Sequence, residues 1–397
     1  MTHSSMPVLR STISRFVVIA SLAVSILSCI RDGAAENGEA IDLAEFWDSS
    51  HHWYDIRDEE RVIDPLPQQK RYDPSDIRKI ADNILLFQKV SGGWAKNYDM
   101  TAVLTDDQKA AVLRGQTDTA ATTFDNGATY SQVAYLAKAF HRTADERYKR
   151  GCVEGIEFIL RAQYDNGGWP QFYPDRSGYR QYITFNDGAM IGVMKVLRNI
   201  VKGKSEYSFI ERALAQRVEA AFSKGIACIL RCQIREKENL TVWCQQHDQV
   251  TFVPRNARTF ELASASSMES ADVVLFLMSL ESPSPAVVQS VESAVRWYER
   301  SQIKGIRVDT IEAPKTEFIY HTSSSDKVVA VDSSAPPIWA RFYELGTNRP
   351  LFANRDGNPV YSMAEVERER RTGYAWYTYH PARVLAEYPN WKRRIGS

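Results

Sequence analysis

The chain has 397 residues, 44% of them hydrophobic and 25% charged, ordinary values for a soluble globular protein with a sizeable core. Its 49 Lys+Arg balance 49 Asp+Glu, so the formal net charge is zero. That balance gives no support to a general nucleic-acid or membrane-surface binder.

At the N-terminus, Arg10 and Arg15 precede the apolar run "FVVIASLAVSIL" (16–27), which Ser28 and Cys29 follow. The run is short for a transmembrane helix and carries the basic flank of a secretory signal. "ILSC" also resembles a bacterial lipobox, with Cys29 as the lipidated residue. Export is expected in either case, whether the product is periplasmic, secreted or lipoprotein-anchored. Residues 1–35 are therefore set apart from the fold as export segment and linker. Residues 36–78 are polar and aromatic with no sustained period, and read as an N-terminal wrap or small subdomain.

A repeat follows. Four helix-like segments end in glutamine: "ADNILLFQ" at Gln88, "GIEFILRAQ" at Gln163, "GIACILRCQ" at Gln233 and "SAVRWYERSQ" at Gln302. Their separations are 75, 70 and 69 residues. Trp94 in "VSGGWAKN" and Trp169 in "YDNGGWPQFYP" each lie six residues beyond a glutamine, and "TVWCQQHD" holds the matching place after Gln233. Second helices lie between. "TTFDNGATYSQVAYLAKAF" places Tyr130, Val133, Leu136, Ala137 and Phe140 at helical spacing. "TFNDGAMIGVMKVL" is apolar nearly all round, as a helix buried on several sides should be, and "TFELASASSMESADVVLFLM" ends the same way. An outer amphipathic helix, a Gly/aromatic turn and an apolar inner helix thus recur. The repeat predicts an all-α fold over 79–397, an α/α barrel (toroid) of helical hairpins. The N-terminal portion is irregular, and a few short strands are expected in loops such as "DKVVAVD" (326–332). Cys152, Cys228, Cys232 and Cys244 match no zinc spacing. They are expected as buried free thiols, although an oxidising compartment would allow one disulfide.

Each predicted inner helix opens with an acid: Asp125, Asp187 and Glu261. Asp is a favoured N-cap, so Asp125 or Asp187 alone reads as a cap. Equivalent helix starts of a barrel converge on one end, however, and carboxylates gathered there suit a hard cation such as Ca²⁺, which takes six to eight oxygens. "QQHDQVTFVPRNARTFE" should bring His247, Asp248, Arg255 and Arg258 to the same face. "SAPPIWARFYELGTNRPLFANRDG" should bring Arg341, Arg349 and Arg355. Arginines are usually solvated, but beside Pro and aromatic residues in aperiodic loops they suit bidentate recognition of carboxylates. Lys96 offers one more anion contact. Trp94, Trp169, Phe172 and Tyr173 read either as core plugs or as platforms for sugar stacking.

In order, "GGWAKN", "FDNGATYSQVAYL", "NGGWPQFYP", "YITFNDGAM", "WCQQHD", "ARTFEL", "SAPPIWARFYEL" and "NRDG" resemble the family 10 polysaccharide lyases, which are pectate lyases, from about residue 80 to 391. The resemblance implies an α/α barrel, Ca²⁺ as cofactor, and polygalacturonate as the partner cleaved. It makes Asp125 and Asp187 the calcium-site carboxylates and Arg258 the catalytic base. Lys96, Asn126, Arg341 and Arg355 become contacts to uronate carboxylates; from the residues themselves, His247 and Trp169 are expected as further substrate contacts. From the residues alone, His247 is the conventional base; the resemblance moves that role to Arg258. Gly188 departs from the second acidic or amide residue that family members often carry after the "ND" pair. "SASSMES" departs from a commoner Ser-Gly-containing sequence. Both bear on subsites more than on the reaction.

The chemistry suits the residues. β-Elimination takes the C5 proton, α to a carboxylate whose own charge opposes a carbanion, so cations gathered on that carboxylate are what the step needs. Three rival readings are a glycoside hydrolase using Asp125 and Asp187 as acid and base, a terpene-cyclase-like toroid, whose acid-rich motif is absent, and a non-catalytic pectin-binding surface protein. A monomer is expected, with no protein partner and no nucleic acid.

Overall fold

The computed structural model describes residues 39–57 and 61–396. The expected export segment and Cys29 lie outside the described residues. Eleven helices are described: α1 (Trp47–Asp55), α2 (Ile77–Phe87), α3 (Asp106–Arg114), α4 (Tyr130–Thr143), α5 (Glu146–Ala162), α6 (Ala189–Val201), α7 (Arg212–Cys232), α8 (Ser267–Met278), α9 (Pro285–Ser301), α10 (Arg368–Gly373) and α11 (His380–Arg394). Local chemistry explains several starts. Thr105 and Gln108 form a reciprocal capping box on α3, Asp145 caps α5, and Ser284 caps α9 ahead of Pro285 in its first turn.

The helices form two rows. α4, α6, α8 and α11 pack side by side, while α2, α5, α7 and α9 pack outside them, with α4 on α5, α6 on α7 and α8 on α9. The apolar inner row follows from sequence. α6 buries nine of its thirteen residues, and α4 buries Tyr130, Val133, Leu136 and Ala137 along one stripe.

The Gln and Trp repeats hold these rows together. Gln88 Nε2 donates to Gly92 O and Gly151 O, Gln163 Nε2 to Gly167 O and Ala221 O, and Gln233 Nε2 to Thr241 O and Ser290 O. Each glutamine thus ties the end of one outer helix to its own turn and to the next outer helix. Trp94, Trp169 and Trp243 donate Nε1–H back to Ile84 O, Ile159 O and Ile229 O. Glycines make room for two of these rings, since a Cβ on Gly155 would meet Trp94 at 2.9 Å and one on Gly225 would meet Trp169 at 3.2 Å. Each ring, fully buried, removes some 150–250 Å² from water, roughly 4–6 kcal/mol at about 25 cal/mol per Å².

The all-α class is corrected by the strands, which make five small sheets among the described residues. The largest piece is a hairpin of Ile306–Glu317 with Thr322–Val331, antiparallel, with a register shift between Glu312 and Thr316. The expected strand at 326–332 is one edge of it. A four-stranded antiparallel sheet orders Pro359–Val360, Pro350–Ala353, Phe342–Tyr343 and Ala265–Ser266, and a three-stranded one orders Ile183–Thr184, Gln246–His247 and Pro254–Arg255. Most strands are two residues long, too short for hydrophobic alternation to register, and the hairpin strands are largely exposed and polar. No substantial packing joins α11 back to α2 or α4 among the described residues. Cys152, Cys228, Cys232 and Cys244 are free and buried, and no described helix is long and apolar enough to cross a membrane.

Candidate active site

Two equivalent tight turns carry the predicted metal carboxylates. "FDNGA" and "FNDGA" each form one turn of 3₁₀ helix, Asp125–Gly127 and Asn186–Gly188, and the two turns pack together. In each, the middle residue takes a left-handed conformation, Asn126 at φ 47° and Asp187 at φ 48°, which Asn and Asp tolerate best among non-glycine residues. Neither acid caps a helix. The N-caps are Thr129 for α4 and Gly188 for α6, and neither makes a side-chain capping bond. That removes the capping alternative.

Asp125 is buried and receives Lys96 Nζ on Oδ2 at 2.6 Å. Burial works to raise its carboxyl, and Lys96, Gln171 and Arg258 together more than offset it, leaving Asp125 below the usual range. Asp187 keeps a quarter of its side chain open and takes Asn186 Nδ2 on Oδ2 at 2.6 Å. Burial and then the charges of Asp125 and Asp48 push its carboxyl well up. Asp48, from α1, is a third carboxyl at this centre, itself raised by burial and by Asp125 against the opposing pull of His52. Ser49 anchors that helix, because Oγ both donates to Tyr98 O and accepts from Tyr98 N at 3.1 Å. Asn126 is buried and donates Nδ2–H to Asn97 Oδ1 at 2.9 Å.

The arginines gather beside the carboxylates. Arg258 lies against Glu261, with Nε to Oε2 at 2.8 Å and Nη2 to Oε1 at 2.6 Å, and its side chain is 45% exposed. Tyr374 donates its hydroxyl to Glu261 Oε1 at 2.8 Å. Burial acts to raise Glu261, but Arg258 holds it down at about 2. Reciprocally, burial lowers Arg258's hold on its proton and Glu261 more than restores it. Arg341 is buried. Its Nε donates to Glu269 Oε1 at 2.9 Å and its Nη2 to Asn186 Oδ1 at 3.2 Å, with Asp187 Oδ1 4.0 Å away. Arg355 is a third exposed and forks onto Glu369, with Phe260 and Tyr320 against its guanidinium. Arg255 forks onto Asp248 instead.

Three expected substrate contacts are corrected, the first being Arg341, which is buried and spent on Glu269 and Asn186. His247 is fully buried, Nε2 accepts from Cys244 N at 2.9 Å and Nδ1 donates to Phe252 O at 2.8 Å, so both ring nitrogens are spent on backbone. Burial lowers its pKa to about 4. It is neither a groove contact nor a base. Trp169 is a core plug with no exposed surface. The turn after it still serves the site, because Gln171 O accepts from Phe124 N and from Thr123 Oγ1, which supports the Asp125 turn. Glu261 opens no helix; it lies six residues before α8.

Sequence reasoning missed Asp48, Glu269 and Tyr374. Glu269 stands in the first turn of the apolar α8, a position where a lone acid needs a buried cationic partner. That signal was there to be read.

A cation fits this centre. Asp125 Oδ1 is buried without a hydrogen-bond partner, and the raised Asp187 carboxyl marks uncompensated negative charge. Among the described residues no three His, Cys, Asp or Glu side chains could hold a metal on protein ligands alone. The fit is therefore to a hard cation that draws its remaining oxygens from water and an anionic ligand.

Paired carboxylates beside the partly exposed guanidiniums of Arg258 and Arg355 make a centre suited to an anionic ligand. The chain belongs to the pectic acid lyase family, whose model matches residues 88–385. It is a lyase and is similar to the family 10 polysaccharide lyase from Cellvibrio cellulosa, at 28% identity over 80% of this chain and 91% of that one, with a TM-score of 0.67. An aspartate-to-alanine mutant of a family 10 lyase from the same organism, in complex with trigalacturonic acid, matches at 28% identity over 80% of this chain and 92% of that one, also with a TM-score of 0.67. No curated protein sequence matches the chain.

Proposed function

We propose that this pectate lyase cleaves de-esterified polygalacturonate by calcium-dependent β-elimination at the centre formed by Asp125, Asp187, Lys96 and Arg258. The observation that carries the reading is the orphaned Asp125 Oδ1 beside Asp187, within a cluster of arginines. Asp125 and Asp187 would hold Ca²⁺, which when bound offsets the charge of a uronate carboxylate and makes the adjacent C5 proton more acidic.

Arg258 takes the C5 proton. Its Nε and Nη2 face Glu261, which fixes the plane of the guanidinium and leaves Nη1 without a hydrogen-bond partner among the described residues. The electron pair from C5–H forms the C4–C5 double bond, the C4–O bond breaks, and solvent protonates the departing oxygen. Arg355 and Lys96 neutralise substrate carboxylates. Arg341, buried and paired with Glu269, acts from behind by holding Asn186 and Asp187 in place. Glu261 raises Arg258's proton affinity, so the reaction calls for high pH. Export of the chain to reach an extracellular polymer belongs to the same proposal.

Its test is the product: a 4,5-unsaturated uronate at the new non-reducing end, formed with Ca²⁺ and lost on chelation. A saturated non-reducing end would reject the proposal.

A further inference from the structure

A cavity of about 460 Å³ lies between α1 and the segment that follows Lys96, and none of the arginines of the candidate active site lines it. Trp47, His51, Tyr54 and Asp55 contribute to it from one face of α1, at the i, i+4 and i+7/i+8 spacing of a helix. Asp48 and His52 occupy the neighbouring face toward the carboxylate centre. Arg71, Asp99 and Thr101 complete the pocket.

Trp47 is the anomaly. Eight of the nine tryptophans are at most 2% exposed, whereas Trp47 is 65% exposed. One of its faces stacks on His51, with centroids 4.9 Å apart and planes within 10°, and the other is open. Such an amphipathic ring is held flat and ready to receive a planar or pyranose face.

Arg71 supplies a charge. Its Nε donates to Asp99 Oδ2 at 2.9 Å and to Tyr54 Oη at 3.3 Å, and its guanidinium lies 4.3 Å from the Tyr54 ring centroid. Nη1 and Nη2 have no hydrogen-bond partner among the described residues, and the side chain is 56% exposed. Asp99 offers no competing acceptor, because Oδ1 takes Thr101 N and Oγ1 while Oδ2 takes Tyr54 and Arg71. An oriented guanidinium with its terminal nitrogens unspent matches a carboxylate.

We propose that this pocket is an ancillary uronate-binding site, taking a galacturonate residue with its ring on Trp47 and its carboxylate on Arg71. The proposal rests on the reading of the chain as a lyase of polygalacturonate. The site would anchor the polymer one helix face away from the place where it is cut.

All nine tryptophans emit and Trp47 is the one well-exposed among them, so its share of the fluorescence response is the part that Trp47→Phe removes. Titration of the full chain with trigalacturonate is expected to give a saturable fluorescence change. Arg71→Gln should shift its midpoint upward about tenfold, and Trp47→Phe should abolish it. Both variants should retain the parent's maximal rate of product formation at saturating polymer, while the half-saturating polymer concentration rises. Lyase activity without a fluorescence response, or a midpoint unmoved by Arg71→Gln, overturns the ancillary site and leaves the catalytic reading intact. A response in a protein that makes no unsaturated product overturns the catalytic reading instead.

Discussion

Glu261→Gln separates Arg258 as base from Arg258 as a mere cation. The parent pair shares two charge-assisted bonds, at 2.8 and 2.6 Å, with the carboxylate buried and the guanidinium 45% exposed. Charge centres about 4 Å apart interact by about 4 kcal/mol at an effective dielectric of 20 and by about 1 kcal/mol at 80. The exposure of Arg258 argues for the lower end, and losing the charge should lower the guanidinium pKa. If Arg258 is the base, the ascending limb of kcat against pH should move to lower pH, with more active free base at a given pH below it. The assay is initial product formation on polygalacturonate at saturating Ca²⁺ across the alkaline range, read as limb position and not as height. A limb left in place, with affinity reduced, would refute the base assignment and make Arg258 a binding cation.

The same substitution carries a stability prediction: a carboxyl moved from its ordinary 4.5 to about 2 contributes about 3 kcal/mol. Because the folded pKa is depressed, that stability is present above about pH 4.5 and lost as pH falls through about 2; denaturant midpoints of parent and variant should converge over that window. Asp125→Asn and Asp187→Asn should lose Ca²⁺ binding by calorimetry while keeping the helical circular-dichroism signal, since neither acid caps a helix; full activity in either would reject the metal assignment. Asp187→Asn should also unfold at a higher temperature than the parent in chelator, because it removes a carboxylate that Asp125 and Asp48 repel. Arg341→Ala strands buried Glu269 and should cost about 3–5 kcal/mol in denaturant unfolding. His247→Gln should lower thermal stability but leave the pH profile of turnover unmoved.

Much of this architecture was legible because it rests on local signals. The Gln and Trp spacing marked the helix ends, since Gln88, Gln163 and Gln233 each bond their own turn and the next outer helix, whereas Gln302 bonds Glu299 O in its own helix. The acids of the "DNG" and "NDG" turns read from sequence as helix caps or metal carboxylates, and the left-handed Asn126 and Asp187 emerge only in the structure. The remainder depends on contacts that sequence order hides. Asp48 reaches Asp125 from an aperiodic segment whose helix is positioned by Ser49 and Tyr98. His247 lies among polar residues in sequence, yet Cys244 N and Phe252 O consume both its nitrogens. Trp169 looked available to sugar until Gly225 and Ile159 were seen to enclose it. The strands that corrected the fold class are paired by register with distant partners, Phe342 with Ser266 and Ile183 with His247, and two residues carry no period of their own.

Eliminative cleavage dependent on Ca²⁺ is tested by following ultraviolet absorbance on polygalacturonate during chelation and restoration of Ca²⁺, with mass spectrometry of the products. Absorbance should grow, stop on chelation and resume with Ca²⁺, from oligomers one water lighter than their hydrolytic counterparts. Oligomers of hydrolytic mass, or growth indifferent to chelation, would contradict it.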